Sequence, residues 1–159
     1  MTVAFVGVGS NLDQPVRQVR DALAELDGLP HSRVVKRSSL YRSAPVGHAQ
    51  QPDFVNAVAQ LETGISADRL LAELQEIEAR HGRVRSFANA PRTLDLDLLM
   101  FEKLQSRTER LTVPHPRMHE RAFVLKPLVE VAPDVSIPGL GKAAELLARL
   151  ADQDVERIA

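Results

Sequence analysis

The chain contains no cysteine, which excludes a disulfide framework, a thiolate nucleophile and zinc held on thiolates, so any metal must sit on oxygen or imidazole. Aromatic residues are scarce, with one tyrosine, five phenylalanines and no tryptophan; a planar ligand has few rings to lie against. No apolar run approaches the roughly 20 residues of a bilayer span. Met1–Gly9 is apolar but lacks the basic flank and small-residue cleavage site of a secretory signal, so a cytoplasmic protein is expected. Neither sign of charge dominates, since 20 basic residues face 21 acidic ones, and a grip on nucleic acid through overall charge is excluded. No GxxxxGK[ST] segment occurs, so phosphates cannot be cradled by a P-loop of that kind. At 159 residues the chain fits one domain covering 1–159, expected to act as a monomer.

What is present is unevenly spread. Between Arg80 and Arg121 nine basic residues stand against five acidic ones, leaving 11 against 16 elsewhere. That local excess suits a confined anionic ligand, although a solvated face gives the same count. Val3 to Val8 reads as a strand ended by a turn at Gly7-Val8-Gly9-Ser10-Asn11. Pro15 opens a helix to Leu26, with Val16, Val19, Leu23 and Leu26 on one face. Val34 to Tyr41 reads as a strand, 43–52 as a loop and Phe54 to Leu61 as a second strand. Ser66 caps a helix from Ala67 to His81 that Gly82 ends. After a loop over 83–91, Leu94 to Met100 forms a strand, followed by a short extended piece near Leu111, a turn at Pro114, and helices over 124–131 and 142–150. This order predicts an α+β, ferredoxin-like sandwich with a mainly antiparallel sheet and C-terminal additions.

Asp95 and Asp97 lie two apart in a strand, so both carboxylates leave one face while Leu94, Leu96 and Leu98 leave the other. Two adjacent carboxylates repel unless a cation lies between them, and paired hard oxygen ligands suit magnesium whose shell phosphate and water complete. An exposed strand face or an Asp–Arg ion pair would share the spacing. Arg83, Arg85, Arg92, Arg110 and Arg121 add guanidinium forks that bind phosphate oxygens. Carboxylates and arginines together meet the needs of phosphoryl transfer. Phe54 and Asn56 put a ring and a carboxamide on one strand face, where a heterocycle can stack and hydrogen-bond; Phe123 is a candidate for the opposite face, and a core role for both rings is the alternative.

Six segments taken in order carry a resemblance: Gly9-Ser10-Asn11-Leu12; Tyr41-Arg42-Ser43-Ala44-Pro45; Gln51-Pro52-Asp53-Phe54-Val55-Asn56-Ala57; Gly82-Arg83-Val84-Arg85; Pro91-Arg92-Thr93-Leu94-Asp95-Leu96-Asp97; and the run from Arg110 through Pro114-His115-Pro116 to Phe123. Together they resemble the 6-hydroxymethyl-7,8-dihydropterin pyrophosphokinase family from about Val3 to Pro133. The resemblance implies a folate-pathway enzyme with ATP and a reduced hydroxymethyl pterin as substrates and two magnesium ions on Asp95 and Asp97. It implies that Arg83, Arg85 and Arg92 steady the polyphosphate and that Gln75, Glu78, Leu98, Arg110, Thr112, His115 and Arg121 serve the nucleotide. Ser43, Ala44, Val46, Phe54, Asn56 and Phe123 would hold the pterin. The departure is at Ala88-Asn89-Ala90, where the family usually has a basic residue, an aromatic and a glycine; Phe87 is the nearest ring. Two other readings remain, an Asp-x-Asp nucleotidyltransferase and a weakly catalytic pterin- or nucleotide-binding protein.

Overall fold

Alternation in the first strand dictates the layout. β1 (Thr2–Ser10) sends Ala4, Val6 and Val8 into one apolar cluster and Phe5 into another, so the sheet must be covered on both faces. This computed structural model describes residues 1–12, 14–44, 52–82 and 93–159. After β1 come α1 (Pro15–Asp27), β2 (Ser32–Arg37), β3 (Tyr41–Ser43), β4 (Phe54–Thr63), α2 (Ala67–Arg80) and β5 (Asp95–Phe101). Then follow β6 (Ser106–Arg107), β7 (Thr112–Val113), a 3-10 turn at Met118–Glu120, α3 (Ala122–Val131), β8 (Ser136–Ile137), β9 (Gly141–Lys142), α4 (Ala143–Ala148) and β10 (Val155–Arg157).

The main sheet runs β10-β3-β4-β1-β5, with β2 also paired to β4, and every described pairing is antiparallel. With α1 and α2 on one face, this is the expected α+β, ferredoxin-like sandwich. Val19, Leu23 and Leu26 of α1 and Leu70, Leu74 and Ile77 of α2 pack on Ala4, Val6, Ala57, Ala59, Leu96 and Leu98. On the other face Val124, Leu125 and Leu128 of α3 meet Phe5, Val58, Leu99 and Met100. A register shift between Phe5 and Val6 lets both Leu99 and Met100 enter this second cluster. Glu130 pins α3 to the sheet by accepting from the Tyr41 hydroxyl at 2.6 Å and the Ser39 amide at 3.0 Å.

Several boundaries differ from the sequence reading, each for a local reason. β1 continues through Gly9 and Ser10, since Gly9 pairs with Asn56 and Asp95 on its two sides; the predicted turn there is strand. The strand expected over 34–41 is two strands. At the break, Ser38 donates its amide to the Val58 carbonyl at 2.9 Å and accepts the Val58 amide on its hydroxyl at 2.9 Å, so β4 stays bonded across the gap. α3 starts at Ala122 rather than 124, which places Phe123 in its first turn, and α4 is shorter than 142–150. The Ser66 cap stands, its hydroxyl accepting from the Arg69 amide at 3.1 Å, and Gly82 follows the helix at φ 75°. The expected loop at 83–91 and most of that at 43–52 lie outside the described residues.

Candidate active site

Rows of paired residues across the sheet assemble the site. One row reads Tyr41, Asn56, Gly9, Asp95 across β3, β4, β1 and β5; the next contains Val58, Gly7 and Asp97. Residues opposite one another share a face. Asn56 and Asp95 therefore stand two strand spacings apart, ~10 Å, with a glycine between them. A methyl group at Gly9 would meet the Asn56 Oδ1 at 3.2 Å, and one at Gly7 would meet Leu99 at 3.4 Å. The two glycines thus form a low floor, with a carboxamide on one side and two carboxylates on the other.

Over this floor lies an apolar slot of about 80 Å³. Phe54 and Phe123 line it, with Ser43, Ala44 and Asn56 from β3, its exit and β4, and Asp95 and Asp97 from β5. Asn56 is 5% exposed, and its Nδ2 donates to the Ser43 hydroxyl at 2.7 Å. That bond orients the carboxamide, leaving Oδ1 on the Gly9 side. The Arg121 guanidinium lies 5.5 Å from the centre of the Phe123 ring, a cation–π contact that holds ring and charge together.

A second, wider groove of about 410 Å³ opens on the far side of the carboxylates. Gln75 and Glu78 of α2 line it, with Leu98, Arg110, Thr112, His115 and Arg121. Asp95, Asp97 and Arg121 belong to both cavities. β5 ends the main sheet, and its outer edge borders the groove. Glu78, buried at 4% exposure, accepts the Leu96 amide at 2.7 Å; Leu98, two residues on, turns its backbone to the same edge. Arg110 sits 3.8 Å from Asp68, both largely exposed. The Thr112 hydroxyl donates to the Thr108 carbonyl at 3.0 Å.

His115 is strongly perturbed in the groove. Burial first, then the nearby Arg121 charge, push its pKa down to about 4, against a smaller opposing effect of Asp95. The ring is neutral at pH 7. Its Nδ1 accepts the Arg117 amide at 3.2 Å, which puts the ring proton on Nε2 as a donor.

No group of three or more metal-binding side chains occurs among the described residues. Asp95 and Asp97 offer two carboxylates, and that donor set fits magnesium, which is commonly bound by one or two carboxylates plus substrate phosphate and water. It does not fit a metal that needs a complete protein cage.

Every candidate residue within the described part of the chain lines one of the two cavities; Val46, Arg83, Arg85, Arg92 and the Ala88-Asn89-Ala90 departure lie outside it. Gly7, Gly9 and Val124 in the slot, and Leu71 and Glu109 in the groove, are site residues that the sequence reading does not single out. For the glycines a signal existed: two residues apart in a strand, they clear one face.

Comparison with known proteins agrees with this geometry. The sequence model of 7,8-dihydro-6-hydroxymethylpterin-pyrophosphokinase (HPPK) matches residues 5–133. The chain is 44% identical over 158 residues to the 2-amino-4-hydroxy-6-hydroxymethyldihydropteridine pyrophosphokinase of Haemophilus influenzae, covering 99% of both chains. It is 46% identical over 154 residues to the Pseudomonas aeruginosa protein of the same name, covering 97% of this chain and 95% of that one. Among solved structures, Plasmodium falciparum HPPK-DHPS superposes with a TM-score of 0.72 at 12% identity over 96% of this chain. This chain spans 44% of that longer one, and the likeness there is one of fold.

Proposed function

The chain belongs to the 7,8-dihydro-6-hydroxymethylpterin-pyrophosphokinase family, and from that premise we propose that it transfers pyrophosphate from ATP to 6-hydroxymethyl-7,8-dihydropterin in folate biosynthesis, releasing AMP. The observation that carries this reading is the shared wall. Asp95, Asp97 and Arg121 line slot and groove alike, so an acceptor in one and a nucleotide in the other meet over the same carboxylates.

The pterin lies flat in the slot between Phe54 and Phe123. Asn56 Oδ1 accepts from a ring N–H, and the backbone of Ser43, Ala44 and Val46 completes its recognition. The nucleotide occupies the groove, with the outer edge of β5 at Leu98 and the Thr112 side at the base, and His115 Nε2 as a donor. Gln75 and Glu78 flank it. Arg83, Arg85 and Arg92 steady the polyphosphate, helped by Arg110 and Arg121, whose forks suit phosphate oxygens. Asp95 and Asp97 hold magnesium, two ions in this reading, which neutralises phosphate charge. The pterin hydroxymethyl oxygen then bonds to the β-phosphorus. The bond from that phosphorus to the oxygen bridging it to the α-phosphorus breaks, AMP leaves with that oxygen, and the hydroxyl proton is released. Positioning and charge neutralisation supply most of the acceleration in such reactions.

One chain carries both cavities, and we read it as a single-domain monomer acting in the cytoplasm without nucleic acid. No helix among the described residues is long and apolar enough to cross a membrane. Incubation with ATP, magnesium and the hydroxymethyl dihydropterin should release AMP and the pterin diphosphate. Release of pyrophosphate would favour the nucleotidyltransferase alternative, and binding without turnover the weakly catalytic one.

A further inference from the structure

The wall of the slot that carries Arg121 and Phe123 is held from an unexpected direction. α3 begins at Ala122, and Arg121 at its N-cap position makes no side-chain cap. Helix starts leave several amides without intrahelical acceptors. Here the acceptor comes from 31 residues away: Gln153 Oε1 accepts the Ala122 amide at 2.9 Å, while its Nε2 donates to the Glu120 carbonyl at 2.8 Å. One carboxamide therefore grips the backbone on both sides of Arg121.

The chain that follows Gln153 grips the other wall. β10 pairs with β3, Val155 lying opposite Ser43, the residue that orients Asn56. Val155 packs with Tyr41 and Ala122 in a small apolar cluster that Phe123 also touches. Lys126 of α3 donates to the Val155 carbonyl at 2.8 Å. The segment 153–157 thus ties the first turn of α3 to β3 just behind the slot.

We propose that Gln153 is a positioning residue for the pterin site: its two hydrogen bonds fix the backbone around Arg121, and with β10 they set the gap between the Phe123 ring and the sheet floor. A slot that clamps a flat ring from both sides is sensitive to small displacements of one wall. The nucleotide groove also uses Arg121, but its other lining residues lie on α2, on β5 and over 109–116, none of them a hydrogen-bond partner of Gln153, so pterin affinity suffers most.

This inference rests on the proposed function, and the test separates the two. Gln153→Ala and Gln153→Glu are compared with the wild type; the glutamate keeps the acceptor for the Ala122 amide and loses the donor to Glu120. Gln153→Ala should raise the KM for the hydroxymethyl dihydropterin about fivefold, the worth of a lost helix cap, with the KM for ATP changed less than about twofold. Gln153→Glu should recover only part of the pterin KM, since its second oxygen faces the Glu120 carbonyl with no proton to donate. Amide hydrogen exchange at Ala122 should quicken in Gln153→Ala and less in Gln153→Glu, a readout independent of turnover. An unchanged pterin KM, or KM and kcat for both substrates worsening together with a fall in Tm, overturns the positioning role. An unchanged Ala122 exchange rate in Gln153→Ala overturns the hydrogen-bonded grip itself. A wild-type protein that releases no AMP overturns the functional reading, whatever Ala122 does.

Discussion

The two aspartates and the two glycines shape the candidate site by opposite means, one pair by the carboxylates they bring and the other by the side chains they lack. Asp97 is half-buried on the wall common to both cavities. Asp97→Ala removes one of two candidate metal ligands, so turnover should fall by several powers of ten while the urea midpoint moves little. Near-wild-type turnover in that variant would remove the metal role from Asp97. Gly9→Ala tests the floor. The added methyl would sit 3.2 Å from Asn56 Oδ1, so the carboxamide must give by a few tenths of an ångström, which misaligns it for the pterin. Calorimetry should show pterin binding weakened about tenfold, as expected when one buried hydrogen bond is misplaced, with nucleotide binding retained. The aspartates are legible in the sequence because they alternate with leucines that the core needs, which fixes their face. The glycines read as a turn because Gly-x-Gly is equally at home in turns and in a strand that something must approach closely; what separates the two is the pairing of Gly9 with Asn56 and Asp95, which lies outside the local sequence.

Among the elements, β5 carries both candidate carboxylates, and it ends the main sheet. Its Leu96 amide, on the side away from β1, is satisfied by the Glu78 carboxylate of α2. Glu78→Ala leaves a buried donor without that acceptor, at a cost of about 1–3 kcal/mol. Glu78→Gln keeps an acceptor and should lose much less. Urea unfolding of both variants checks this, and equal losses would mean that the carboxylate charge, rather than the acceptor, matters. α1 and α2 are legible to within a residue because their apolar stripes, Pro15 and Ser66 are local signals. β8, β9 and β10 are not. Strands of two or three residues have no period to read, and they exist because a distant partner offers an edge, as β3 does for β10. The break between β2 and β3 is hidden for the same reason, since Ser38 takes over the Val58 bonds only once β4 is in place.

At the scale of the whole molecule, burying a neutral imidazole between guanidinium groups links stability to pH. His115 has a folded pKa of about 4 against an ordinary value of 6.5. Between those values the unfolded chain carries a proton that the folded one does not, so stability rises with pH across this window and is lost as pH falls from 6.5 towards 4. The loss is on the order of 2 kcal/mol, since a tenfold change in proton affinity is worth about 1.4 kcal/mol and the partly exposed ring is screened by solvent. Glu130 adds to it at lower pH. Burial opposes its ionisation, but hydrogen bonds from Tyr41 and Ser39 outweigh that and hold its pKa below the usual 4.5. Its contribution is present above 4.5 and disappears as pH drops through the lowered value, so the two losses follow in sequence. His115→Gln removes the first and leaves the second. Urea unfolding at about pH 7 and about pH 5 should show the wild type losing stability over that interval and the variant losing much less. Parallel losses in both proteins would assign the acid sensitivity to groups other than His115.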